Sequence, residues 1–408
     1  MKEWRQYRLI DILDKIIDYR GKTPQKTDSG IPLITAKIIK DGRILPPNEF
    51  IAESNYDNWM VRGIPHEGDV VLTVEAPLGE VAQLGNEKIA LAQRVVTLRG
   101  KEGVLDNTFL KYFLMSQVGQ ARLKARETGT TVTGIKQSEL REVLIDCPDY
   151  EHQLQIASIL RAIDNKIENN RKINDNLELQ AQALYKSWFV DFEPFCEGEF
   201  IESSLGSIPA GWKVGQLSDI CEIVGGGTPS KSHPEYYCKR GIAWITPKDL
   251  SVSKSKFSSR GSEDITSDGY KNSSAKLMPR GTVLFSSRAP IGYISIATNE
   301  ICTNQGFKSA VPGIAGTGYL YYFLQANTEK IESKASGSTF KEASGSLMKA
   351  LEVIIPADGI FNQFEAELAP ILNKQENIAS EIQTLTTLRD TLLPKLMSGE
   401  LKINEIDC

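Results

Sequence analysis

Cysteine and histidine are scarce and scattered in this 408-residue chain. Six cysteines (147, 196, 221, 238, 302 and 408) and three histidines (66, 152 and 233) fall at irregular spacings, with no C-x-x-C pair. Structural zinc needs closely paired ligands, so a metal site is not expected. The thiols read as free in a reducing compartment. No stretch approaches about 18 uninterrupted apolar residues, which argues against a membrane-spanning helix. The opening MKEWRQYRLI has no apolar core of signal-peptide type. The expectation is a soluble cytoplasmic protein.

Positive charge is also missing overall, with a formal net of −5. The deficit is regional. Residues 1–150 carry 21 basic and 21 acidic side chains, and residues 201–357 carry 17 and 13. The acid is concentrated in residues 151–200 (5 basic, 9 acidic) and 358–408 (4 and 9). Phosphate attraction depends on local charge within a Debye length, not on the total. A DNA partner therefore remains open, but a tight, sequence-blind DNA binder does not fit.

What is present, instead, is a repeat. Gly21-Lys22-Thr23-Pro24 returns as Gly226-Gly227-Thr228-Pro229, and Ile34-Thr35-Ala36-Lys37 as Ile245-Thr246-Pro247-Lys248. Gly68–Leu72 and Ala76–Gly79 return as Gly281–Phe285 and Ala289–Gly292, and Phe109–Leu114 as Tyr319–Leu324. Gly129-Thr130-Thr131 matches Gly337-Ser338-Thr339, and Pro148 matches Pro356. The order is kept while the offset drifts between 205 and 213, the mark of a duplication with small insertions. In each copy, short apolar runs (Val70–Leu72 and Val95–Leu98; Val283–Phe285 and Val353–Ile355) read as strands. A helix is expected near 106–126 and again near 317–335. Gly225–Gly227 reads as a turn.

Each copy ends in a long helical pattern. Ile156, Ile163, Asn170, Leu177 and Leu184 recur every seven residues, with Leu160, Ile167, Asn174, Ala181 and Trp188 as companions. The second copy gives Phe364, Ile371, Ile378, Leu385 and Leu392, with Leu368, Gln375, Ile382, Arg389 and Leu396. A seven-residue apolar stripe is a coiled-coil seam. The two helices are expected to pack on each other, antiparallel. Asn170 and Asn174 read either as buried polar residues that fix register, facing Gln375 and Arg389, or as a solvated seam edge. Pro370 should kink the second helix or mark its start.

Chemistry of its own is hard to find in the chain. The one Pro-Pro, in Leu45-Pro46-Pro47-Asn48, does not match the [ND]-P-P-[FYW] pattern of adenine methyltransferases, and no phosphate-binding G-x-x-x-x-G-K-[ST] occurs. Asp69 and Glu75 could pair as nuclease acids, but their repeat mates are Thr282 and Arg288. No Ser/His/Asp set can be assembled from the scattered histidines.

The helix sequences are specific. Glu151-His152-Gln153-Leu154-Gln155-Ile156-Ala157 leads through Ile163-Asp164-Asn165-Lys166 to Leu184-Tyr185-Lys186-Ser187-Trp188-Phe189. Ile208-Pro209-Ala210-Gly211-Trp212 enters the second copy, and Leu392-Leu393-Pro394-Lys395-Leu396-Met397-Ser398-Gly399 closes the chain. These segments resemble the conserved regions of specificity subunits of type I restriction–modification systems. The resemblance covers essentially the whole chain. It departs at His152, where the family commonly has Glu.

The resemblance implies an α+β fold: two similar mixed α/β target recognition domains separated by two long antiparallel coiled-coil helices, with a pseudo-twofold internal repeat. The expected division is a first recognition domain at 1–149, a central helix at 150–192 and a linker at 193–210. A second recognition domain follows at 211–357, then a C-terminal helix at 358–398 and a tail at 399–408. The subunit is expected to be non-catalytic and to hold no cofactor. S-adenosylmethionine, ATP and Mg2+ would belong to its partners. Those partners are double-stranded DNA, methyltransferase subunits (two of them) and restriction/translocase subunits, with no membrane. The other reading is a tandem protein-interaction scaffold that works through its coiled coil.

DNA contact needs cations for phosphates and polar forks for bases. In copy one the candidates are Arg20, Lys22, Lys26, Lys37, Lys40, Arg43 and Arg94, then Arg122, Lys124, Arg126, Thr130, Thr131 and Lys136. In copy two they are Lys231, Lys248, Lys254, Lys256 and Arg288, then Lys334, Ser338, Thr339 and Lys341. Trp59, Trp244 and Tyr293 are assigned to the core.

Overall fold

The computed structural model describes residues 4–129, 133–337 and 341–401. The chain divides into two compact units: Met1–Glu168 with Gln383–Cys408, and Asn169–Ile382.

In the first unit a four-stranded antiparallel sheet runs in the order Leu13–Asp18, Val95–Gly100, Val70–Val74, Leu78–Gln83. One of its two inner strands, Val-Val-Leu-Thr-Val, is buried along its whole length, which suits its four β-branched residues. Leu33-Ile34 pairs in parallel with Ala90-Leu91 beside it, and Arg5–Arg8 pairs with Leu144–Cys147.

The second unit repeats this plan. Cys221–Gly225, Lys308–Pro312, Val283–Ser287 and Ile291–Ala297 form the same antiparallel order, and Phe257-Ser258 is added in parallel at the edge. Trp244-Ile245 pairs in parallel with Cys302-Thr303, and Lys213–Gln216 pairs with Glu352–Ile355. All four expected strands are present.

The helix expected near 106–126 is two helices, Asn107–Met115 and Gln117–Lys124. Ser116 between them is extended, and its hydroxyl accepts from the Gly119 N–H, so it starts a new helix instead of continuing the old one. The counterpart is likewise divided into Thr317–Ala326 and Thr328–Lys334.

The long helices span Tyr150–Phe189 and Ile360–Met397, and each contributes to both units. In the first unit Ile156 and Leu160 join Leu393, Leu396 and Met397 in a core with Phe109, Tyr112 and Phe113. In the second, Tyr185 and Phe189 join Phe361 and Phe364 against Tyr319 and Tyr322. Phe189 meets Tyr319 edge-on at 4.7 Å and Phe364 at 4.9 Å. Within each unit the helices run antiparallel: Asp164 meets Arg389 in one, and Glu178 and Tyr185 meet Gln375 and Phe364 in the other.

The seam follows the seven-residue stripes. Ile156, Leu160, Ile167, Asn170, Phe364, Leu368 and Ile378 are buried, while Ile163, Leu177, Leu184, Ile371, Leu385 and Leu392 are half-buried. Asn170 is buried, not a solvated edge. Of the facing groups expected, Gln375 donates to the Asn174 carbonyl oxygen (3.5 Å), but Arg389 turns to Asp164.

The second helix starts at Ile360, so Pro370 does not mark its beginning. Pro370 and Ala366, the residue whose carbonyl loses a partner, are both exposed, so the lost bond leaves no polar group in the core. Within the segment read as a linker, Phe200–Ser203 and Gly206–Pro209 pair as a hairpin. Trp59 and Trp244 are buried, and their indole N–H groups donate to the carbonyls of Leu91 and Gly227, each at 3.0 Å. Tyr293 is half-buried against the core. No helix among the described residues is long and apolar enough to cross a membrane.

Candidate nucleic-acid interface

At one end of the first unit's central sheet, segments far apart in sequence meet. Strand Val70–Val74 runs out through Glu75 into a cis Ala76–Pro77 bond. The Ile135 N–H donates to the Val74 carbonyl (3.0 Å), and Gly134 bridges Glu75, so Gly134 and Ile135 are laid on the strand's end. Arg20 donates through Nη1 to the Ile135 carbonyl (2.5 Å) while its Nε and Nη2 hold Asp18. That contact ties the Gly21–Pro24 loop to the same end. Thr23 Oγ1 donates to Gln93 Oε1 (2.9 Å), and Arg94 Nε lies 3.6 Å from Glu75 Oε1.

The second unit builds the same end from different side chains. Ala289–Pro290 is cis after strand Val283–Ser287, and the Ala343 N–H donates to the Ser287 carbonyl (2.9 Å). Thr228 Oγ1 donates to Gln305 Oε1. Arg288 and Lys308 both face Glu342, at 3.5 and 3.4 Å. The glycine-rich Gly225–Gly227 stretch has a role beyond turning. The Gly227 N–H donates to the Thr303 carbonyl (2.9 Å), and a Cβ on Gly226 would lie 2.0 Å from the Asn304 carbonyl oxygen.

The candidate residues divide by environment. Lys22, Lys40, Lys124, Lys136, Lys231, Lys248, Lys254, Lys334 and Lys341 are exposed and make no ion pair among the described residues. Lys26 and Lys37 flank Glu49, at 2.8 and 3.7 Å. The Lys26 bond, outweighing partial burial and assisted by Lys37, holds that carboxyl below its ordinary range. Arg94 is exposed and Arg288 half-buried, and they pair with Glu75 and Glu342. Arg20 and Arg122 instead brace backbone. Arg122 donates to the Leu144 carbonyl (2.7 Å) and to Asp146 (2.6 Å). Arg126 pairs with Glu139 at 2.9 Å, and Arg43 lies 3.6 Å from Glu168. Thr130, Thr131, Ser338 and Thr339 lie outside the described residues.

Lys256, a candidate contact from the sequence, is largely buried in an internal polar network. Its ammonium contacts Glu178 (2.5 Å), the Tyr322 hydroxyl (2.5 Å) and Gln375 Oε1 (2.8 Å), with 12% of the side chain exposed. Burial lowers its pKa against the pull of Glu178. Burial would raise Glu178, but Lys256 and the Gln375 amide hold it below the usual carboxylate range. The first unit has a counterpart around Asp164, which meets Lys111 (3.0 Å), the Tyr112 hydroxyl (2.7 Å) and Arg389 (3.1 Å). Burial opposes its ionisation, yet Lys111, Tyr112 and Arg389 together keep its pKa low. These networks fasten the mixed domains to the long helices; no sequence pattern announced them. The Thr–Gln pairs were also missed, although Gln93 and Gln305 stand 212 apart, inside the repeat's drift.

The model for the type I restriction modification DNA specificity domain matches the chain twice, over residues 1–179 and 209–396. Similar proteins include the type I restriction enzyme MjaIX specificity subunit of Methanocaldococcus jannaschii, 28% identical, with 99% of this chain and 95% of that one covered. The HindI specificity subunit of Haemophilus influenzae is 26% identical over 73% of this chain and 76% of its own length. The crystal structure of a type I restriction-modification S subunit from M. genitalium has the same fold. Its TM-score is 0.62 at 17% identity, over 97% of this chain and 96% of that one.

Proposed function

Because this chain belongs to the type I restriction modification DNA specificity family, we propose that it is the sequence-reading, non-catalytic subunit of such a system. Each mixed domain reads one half of a bipartite asymmetric DNA site. The long helices dock two methyltransferase subunits and the restriction/translocase subunits, which bring S-adenosylmethionine, ATP and Mg2+. The complex works in the cytoplasm, and the working division is the one read from the sequence, with recognition domains at 1–149 and 211–357.

The observation that carries this reading is the doubled loop end. The Gly-x-Thr-Pro loop, the Ala–Pro turn and the Thr–Gln contact recur in both units on equivalent strands. Exposed Lys22 and Lys231 lie on the two loops, and the ion pairs beside them differ, Arg94 with Glu75 in one unit and Arg288 with Glu342 in the other. A common frame with divergent side chains suits two readers of two sequences. The candidate contacts are Lys22, Lys26, Lys37, Arg94 and Lys136 in the first unit, and Lys231, Lys248, Arg288, Lys334 and Lys341 in the second. Lys40, Lys124 and Lys254 serve as outlying phosphate contacts.

The test is co-expression with the methyltransferase partner, followed by sequencing of methylated positions. A two-part motif with a fixed gap is expected. Inserting seven residues into one long helix, about 10 Å of rise, should change that gap. Methylation without a motif, or equal affinity for selected and random duplexes, would instead favour the scaffold reading.

A further inference from the structure

We propose that Gln93 and Gln305 are matched contacts to the DNA backbone. Each is oriented by its threonine and donates its side-chain amide to a phosphodiester oxygen at its own half-site. The proposal rests on the DNA-reading function above and assigns it two residues.

A glutamine amide carries an acceptor oxygen and two N–H donors. In both units the oxygen is engaged: Thr23 Oγ1 donates to Gln93 Oε1 and Thr228 Oγ1 to Gln305 Oε1. The hydroxyls therefore fix which way each amide faces. Neither Nε2 has a hydrogen-bond acceptor among the described residues. Thr23 and Gln305 are exposed, and Thr228 and Gln93 are half-buried. A hydrogen bond in so open a place contributes little to stability, so the fold alone gives no reason to keep the pair twice.

Around the pair, the two copies have diverged. Lys22 stands where Gly227 stands in the other copy, Arg94 where Gly306 stands, and Glu75 where Arg288 stands. Groups that read different bases are expected to differ in this way. A pair kept identical on both sides must meet something identical in both half-sites, and the phosphate backbone is the common element. Reading an adenine edge would use Oε1 together with Nε2, and Oε1 already accepts the threonine proton. The exposed Lys22 and Lys231 lie on the same two loops, so the amides sit where an anion is attracted.

The experiment uses the full chain with its methyltransferase partner. Binding is measured by fluorescence anisotropy over a range of NaCl concentrations. The probes are a pool of random-sequence duplexes and the duplex selected by the methylation experiment. Gln93→Ala and Gln305→Ala should each weaken binding roughly tenfold, by the same factor on both probes. The dependence on salt should not change, because a neutral donor displaces no counterion. Gln93→Glu and Gln305→Glu keep an acceptor for the threonine hydroxyl but put negative charge against the phosphate, and should weaken binding more than alanine does. Thermal melts matching the parent protein would show that the fold is unaltered.

If the glutamate variants bind as the parent does, the amides merely brace their loops and the proposal falls. It also falls if the losses are confined to the selected duplex and the methylated motif changes, since the residues would then read bases. Failure of the unsubstituted complex to bind either probe would overturn the DNA-reading function itself, and this assignment with it.

Discussion

Asp164 in the first unit and Glu178 in the second lie on the same long helix and accept from repeat-equivalent tyrosines, Tyr112 and Tyr322. Their company differs. Asp164 faces two cations, Lys111 from the short helix and Arg389 from the second long helix. Glu178 faces one, Lys256, with the neutral Gln375 beside it. The repeat mates of Asp164 and Glu178 are Leu372 and Thr386, so neither network is a copy of the other. The apolar frame was inherited twice, whereas each polar fastening arose within its own unit.

The sharpest way to break this comparison is to remove the acids. Asp164→Ala leaves the largely buried Lys111 without a counter-charge and Arg389 with only the exposed Asp390, and should cost about 3–5 kcal/mol in urea unfolding. Glu178→Ala should cost less, about 2 kcal/mol, because the one stranded cation, Lys256, already has its pKa lowered by burial. Hydrogen exchange should place the first loss around Asn107–Met115 and the second around Thr317–Ala326. Equal losses would remove the distinction.

Acid sharpens it further. Asp164 and Glu178 both have lowered carboxyl pKa values. Their stabilisation is therefore present above the unfolded carboxylate range and is lost as pH falls through the folded values. The second unit has an opposing group. Burial raises the pKa of Glu365, against the N–H groups of Tyr319 and Gly318, which its carboxylate accepts. A raised carboxyl favours the folded state at low pH and loses that effect as pH rises through its folded value. Acid titration followed by hydrogen exchange should open the first unit before the second, and the reverse order would contradict this account.

A smaller contrast lies in the indoles. Trp59→Phe and Trp244→Phe should each cost about 1 kcal/mol for a buried carbonyl left unpaired. Only Trp244→Phe frees the loop that carries Thr228, because its bond goes to Gly227. That variant should therefore also weaken DNA binding in anisotropy. Smallest of all, Lys22→Ala and Lys231→Ala should leave melting unchanged while each lowers the salt slope of DNA binding by about 1.

The parts legible in the sequence were those with a period or a copy. The heptad stripes showed because a seam repeats every seven residues, and Val70–Leu72 showed because buried strands are rich in branched residues. The break at Ser116 carried a local cap signal that a purely apolar reading passed over. Lys256 was misplaced because its partners come from residues 178, 322 and 375, which no local pattern links. The same holds for Asp164 with Lys111 and Arg389. Gln93 and Gln305 could have been found from the duplication, had it been searched for polar pairs as well as for loops.

Trp4 packs near Phe109, and a Cβ on Gly399 would come within 2.7 Å of its indole nitrogen. The core beside it is filled by Leu393, Leu396 and Met397. A ribosome thus makes the opening residues of the first unit long before the segment that seals it. The second unit, contiguous from Asn169 to Ile382, has all its parts in hand while that segment is still emerging. The half of the molecule that is synthesised first is completed last, and a premature stop just after Ile382 would leave the later-made unit whole and the earlier-made one open.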